Sequence, residues 1–184
     1  MRLAPPDFDN LSPDQQRVYD MIMAGPRGRV RGPLALWLHR PELAEAAQTL
    51  GSYCRYNSSL PKRLSELAIM TLLAEWKVEL PWWAHQQSAA EAGLSPELLD
   101  ALSSGRVPEL DNQQDRLVYE VTKSLAKEHR VPEALYREAL ETLGKDAMVD
   151  LVGVVGYYSL IAMTADLFDL SPSDGRERVF PPKS

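Results

Sequence analysis

Residues 60–85 read LPKRLSELAIMTLLAEWKVELPWWAH, and the spacing within this stretch decides the fold class. Ser59-Leu60-Pro61 is a plausible helix start, because proline suits a first turn that has no use for its missing N–H. From Glu66, the i+3, i+4 and i+7 positions are Ile69, Met70 and Leu73, so a carboxylate heads an apolar stripe. This helix is expected to end near Trp76 or Lys77. Pro81 is expected to open the next helix, with Trp82 and His85 on one face at i, i+3, Ala89 continuing it, and Gly93 as the stop. A carboxylate on an apolar face is costly unless paired or protonated. His85 on the adjacent helix is the expected partner, and such a pair can share a proton near neutral pH. A purely structural tie between two helices is the competing reading.

Working outward, the same periodicity recurs and no alternation long enough to demand a sheet is found. Ser12-Pro13-Asp14-Gln15 carries a capping box and points to a helix reaching about Met23. Gly25 to Pro33 reads as a loop. Further helices are expected from Pro41 through Leu50, from a Ser95-Pro96-Glu97 cap, over Asp111–Arg130, from Pro132 to Leu143, and from Gly144 to about Phe168. Leu60–Leu67 compares with Leu143–Leu151 after a one-residue slip, which hints at two pseudo-repeated helical halves. The expectation is one all-α domain over 1–184, with a core of about 12–170 and an irregular tail over 171–184.

The 184 residues suffice for a sizeable core, and 45% are apolar and 25% charged. A net charge of −6 excludes a surface built as a whole for nucleic acid. Cys54 is the single cysteine, so neither an intrachain disulfide nor intramolecular dithiol chemistry is open, and a reducing cytoplasm is expected. The opening Met1-Arg2-Leu3-Ala4-Pro5-Pro6-Asp7 lacks a secretory apolar region. Asp150 and Asp166 interrupt the apolar run 147–168, which reads as a buried helix rather than a membrane span. His39, His85 and His129 lack metal-ligand spacing, so no metal site is expected.

The order Glu66, Val78, Pro81, His85 resembles the frame of the carboxymuconolactone decarboxylase and alkylhydroperoxidase-D family. The peroxidase branch of that family has cysteines where Val78 and Pro81 stand here. Leu60–Ile69 is similar to the family's lead-in, Trp82-Trp83-Ala84-His85 to its decarboxylase-like side, and Gly153–Thr164 to the closing helix of its longer members. The resemblance covers about Pro33 to Phe168. It implies an alkylhydroperoxidase-D-like helical fold and a homo-oligomer, without a cofactor. Peroxidase chemistry does not carry over, because it needs one thiol to attack and another to resolve.

What carries over is acid–base chemistry: His85 as proton carrier, Glu66 fixing its tautomer, and Trp82 as a pocket wall. Arg63 and Arg55 are candidates to hold a substrate carboxylate, against the ordinary alternative of solvated surface. Cys54 is open to two readings, an edge of the pocket or a small buried hydrophobe. Arg27-Gly28-Arg29-Val30-Arg31 is a solvated basic loop or an anion-binding flap. The expected function is a decarboxylase-like lyase acting on a small carboxylated or lactone substrate. The alternatives are a non-enzymatic helical ligand-binding or assembly protein and, third, a residual peroxidase using Cys54 with an external thiol.

Overall fold

The computed structural model describes residues 1–110, 112–172, 175 and 177–181. Among them the chain forms nine helices and no strand: α1 Pro13–Ala24, α2 Pro33–Trp37, α3 Pro41–Tyr56, α4 Lys62–Trp76, α5 Glu79–Glu91, α6 Pro96–Ser103, α7 Gln113–Glu128, α8 Glu133–Leu143 and α9 Lys145–Leu167. The capping signals act as their chemistry requires. The Ser12 hydroxyl accepts from Gln15 N–H while the Gln15 side chain accepts from Ser12 N–H, Ser95 caps α6, and Asn112 caps α7. The expected start at Asp111 lies outside the described residues.

Helix α4 is the hub. It packs on α5, α6, α7 and α9, and every residue from Leu64 to Leu73 is buried. Trp76 fixes its far end by donating an indole N–H to Ala126 O at 2.9 Å. Helix α9 lies against α4 and also against α3 and α8. It is long and apolar enough to cross a membrane by length and composition, yet half of its most apolar window is buried inside the protein. Its outer face leaves Val149, Val152, Met163 and Leu167 exposed.

Three differences from the sequence reading matter for the site. Helix α5 begins at Glu79, two residues before Pro81; proline sits in the first turn, where its missing N–H costs nothing. The stretch after Gly32 contains the short helix α2, whose Trp37 donates to Thr164 Oγ1 on α9 at 3.0 Å. The tail has no regular structure at its described residues, but it is anchored and extends the core past 170. Glu79, itself buried, accepts from Val179 N–H at 2.7 Å and Phe180 N–H at 3.2 Å. Phe180 is 3% exposed and meets Trp82 edge-on at 5.3 Å between ring centres.

This anchor gives the first prediction. Phe180→Ala removes a buried aromatic against an indole and is expected to destabilise the fold by about 3 kcal/mol or more, read as a lower urea midpoint. A loss under about 1 kcal/mol, the level of a surface change, would mean that the tail is not docked in solution.

Candidate functional site

Helix α5 sorts its side chains onto two faces. Trp82, His85 and Ala89 are buried at i, i+3, i+7, while Pro81, Ala84 and Ser88 line a cleft at the same spacing. His85 belongs to both sets: it is 4% exposed and still lines the cleft. Its Nδ1 lies 2.8 Å from Glu66 Oε2 on α4. The opposite ring edge, with Nε2, is therefore the one available to the cleft. Tyr158 from α9 meets the imidazole edge-on at 4.8 Å and limits its tilt.

Glu66 has no solvent exposure. Its second oxygen, Oε1, accepts from Lys62 Nζ one turn earlier at 2.5 Å, and the Lys62 side chain is 48% exposed. A line of polar contact thus runs from solvent through Lys62 and Glu66 to His85. Burial pushes the Glu66 carboxyl up, but hydrogen bonds and charge from His85 and Lys62 outweigh it, and the net direction is down. For His85, burial dominates over the help of Glu66 and lowers the pKa below its ordinary 6.5. The resting pair is therefore a carboxylate and a neutral imidazole. An ionised carboxylate only accepts, so Nδ1 carries the proton and Nε2 presents a lone pair.

The cleft beside it has a volume of about 960 Å³. Helix α9 supplies Tyr157, Tyr158 and Ile161, α5 supplies Trp83, and the 26–34 segment and the end of α3 supply Arg27, Arg29, Arg31 and Arg55. No Asp or Glu lines it among the described residues. Arg27 is positioned by Tyr157, whose hydroxyl accepts from its guanidinium at 3.1 Å. Both approach α3 at Gly51. A Cβ there would lie 2.2 Å from the Tyr157 hydroxyl and 2.5 Å from the Arg27 guanidinium, which accounts for a glycine inside a 16-residue helix.

The structure brings together Glu66, His85 and Arg55 and separates the other expected residues from them. Trp82 is 2% exposed and packs on Phe180; the indole at the cleft is Trp83, held by Glu79 Oε1 at 2.9 Å. Arg63 points away to α7, where Asp115 accepts from its Nε at 2.9 Å, and it also donates to Gly93 O. It is a structural arginine rather than a wall of this cleft. Cys54 is buried outside the cleft lining, facing Gly153; burial raises its thiol pKa, which disfavours the thiolate. The residues missed in the sequence are Tyr157 and Tyr158, while the 27–31 loop, offered as a solvated loop or an anion-binding flap, supplies Arg27, Arg29 and Arg31 to the lining. The basic loop and Gly51 inside a helix were the available signals.

The chain is similar in structure to a solved protein from Ralstonia eutropha JMP134, described as an alkylhydroperoxidase AhpD core and an uncharacterised peroxidase-related protein. The TM-score is 0.74 at 18% identity, over 94% of this chain and 92% of that one. The fold is AhpD-like. No family model matches the sequence, and no curated protein does.

Two predictions follow from this geometry. Both pKa shifts are downward, so the unfolded chain binds these protons first and stability falls with acid. The His85 contribution is complete above its ordinary 6.5 and is lost as pH falls toward the folded value. That of Glu66 is lost only below its ordinary 4.5. His85→Gln should therefore flatten the unfolding free energy between about pH 7 and 5 in urea titrations; an unchanged slope would contradict a neutral buried imidazole. Gly51→Ala should cost about 1–3 kcal/mol through overpacking, seen as a lowered melting temperature, whereas an unchanged melt would refute the close approach.

Proposed function

We propose that this chain is a decarboxylase-like acid–base enzyme that acts, without a cofactor, on a small carboxylated or lactone substrate. One observation carries the reading: an imidazole is tied at Nδ1 to a buried carboxylate, and the same histidine lines a large cleft. Arg55 lies in the same lining and is suited to hold an anionic group of the substrate by a two-pronged hydrogen bond. In the proposed reaction, Nε2 takes the proton from the carbon next to the lactone or carboxyl carbonyl. The electron pair of the broken C–H bond moves into an enolate, and Glu66 stabilises the resulting imidazolium. The imidazolium returns the proton to a neighbouring carbon for isomerisation. In decarboxylation the order changes: C–C cleavage releases carbon dioxide and leaves the pair as an enolate, and the carbon takes one proton drawn from solvent through His85, which ends neutral as it began.

Two alternatives fare worse. A non-enzymatic assembly protein gives no reason for the 960 Å³ cleft beside His85, and a non-enzymatic ligand-binding protein gives none for the imidazole tied to a buried carboxylate at its wall. A Cys54 peroxidase needs an accessible thiolate, and this thiol is buried, raised in pKa and absent from the cleft lining.

The test is deuterium exchange in D2O over a panel of carboxylated lactones. The native chain should label the carbon next to the carbonyl, and His85→Gln should slow labelling by about 100-fold or more. The rate should fall on the acid side as His85 becomes protonated and be level by neutral pH, because its pKa lies below 6.5. Equal labelling by the variant, or none by the native chain across the panel, would defeat the proposal.

A further inference from the structure

Nine of the fourteen arginines fall into two groups. Arg17, Arg63, Arg106, Arg116 and Arg137 each meet a carboxylate: Glu45, Asp115, Asp100, Glu138 and Glu133 respectively. Arg27, Arg29, Arg31 and Arg55 share one cleft, and none of them has a carboxylate partner among the described residues. This concentration of positive charge stands in a chain of net charge −6, so it is not a by-product of a generally basic surface.

We infer that Arg27, Arg31 and Arg55 form a receptor for a phosphate-type dianion, the head group of the substrate on which His85 acts. The assignment of that anion to a substrate rests on the acid–base reading of the same cleft.

Three observations support it. First, the charges repel one another. Desolvation, then the neighbouring charges of Arg29 and Arg55, depress the Arg31 pKa. A bound dianion relieves that repulsion at two positions, where a monoanion relieves it at one. Second, the guanidinium groups are held in place. Arg27 is braced by Tyr157 through one terminal nitrogen. Arg55 lies over the Tyr56 ring with its guanidinium carbon 5.8 Å from the ring centre, which orients its planar fork. Third, the donors come from two chain segments, the 27–31 loop and the last turn of α3. A tetrahedral dianion offers oxygens in several directions, while a planar carboxylate accepts its forks in one plane.

The test is calorimetric titration of the intact protein at fixed ionic strength with inorganic phosphate, succinate and acetate. Fixed salt separates site binding from general screening. Phosphate should bind saturably and about tenfold or more tighter than either carboxylate. Arg31→Met and Arg55→Met, which leave the Arg27–Tyr157 contact in place, should each weaken phosphate about tenfold, as expected for loss of one charge-assisted contact. Circular dichroism checks that both variants fold. Preference for succinate, absence of saturable phosphate binding, or phosphate binding unchanged in both folded variants overturns the inference. Deuterium exchange reads His85 separately. Exchange without phosphate binding defeats the receptor and spares the acid–base reading; phosphate binding without exchange does the reverse.

Discussion

Glu66 buries a carboxylate with no exposure on a helix whose residues from Leu64 to Leu73 are all buried, and the site depends on how that charge is satisfied. The energy needed to bring an ionised carboxylate out of water is several kcal/mol even after relaxation. It is met here from two sides, by Lys62 at 2.5 Å and His85 at 2.8 Å. Both contacts keep the carboxylate charged, His85 more than Lys62, and the contact with His85 also transmits that charge to the imidazole. Because Glu66 only accepts, it also chooses the His85 tautomer and turns the lone pair toward the cleft. A structural obligation of the core is thereby converted into a poised base.

The surrounding architecture holds this geometry. Helix α4 is packed on four neighbours, so Glu66 has little freedom to follow solvent. Helix α5 presents one face to the core and the other to the cleft, and His85 stands where they meet. Its flank is fixed by Trp82 against Phe180 and by Glu79 against the tail. Helix α9 closes the opposite side with Tyr157 and Tyr158, whose rings meet edge-on at 5.3 Å. Gly51 lets Tyr157 and Arg27 approach α3 closely, which links the packing of two helices to the placement of a charged group over the cleft.

Much of this was readable in the residues. The apolar stripe behind Glu66 and the i, i+3 relation of Trp82 to His85 are local consequences of helix geometry; α4 starts directly after Pro61, whereas α5 starts two residues before Pro81. The AhpD-like fold agrees with the resemblance seen in Glu66–His85. What local spacing could not resolve was which of two adjacent indoles reaches the cleft, since that depends on the docking of Phe180 about a hundred positions later. Arg63 and Arg55 were equivalent as sequence, and only the position of Asp115 on α7 separates them. The 27–31 loop carries no periodicity, and its place over His85 is set by the long-range contact of Arg27 with Tyr157. Nothing local marks Glu79 as a buried anchor, because its partners are backbone groups of the distant tail.

The central claim is that His85 rests as a neutral imidazole with its proton on Nδ1 and a free Nε2. Nitrogen-15 NMR of the histidine side chains, followed through a pH titration, reads both properties in the folded protein. The account predicts a protonated Nδ1 and an unprotonated Nε2 at neutral pH, with a midpoint below the ordinary imidazole value of 6.5. A proton on Nε2 in the neutral form, or a midpoint above that value, would contradict it.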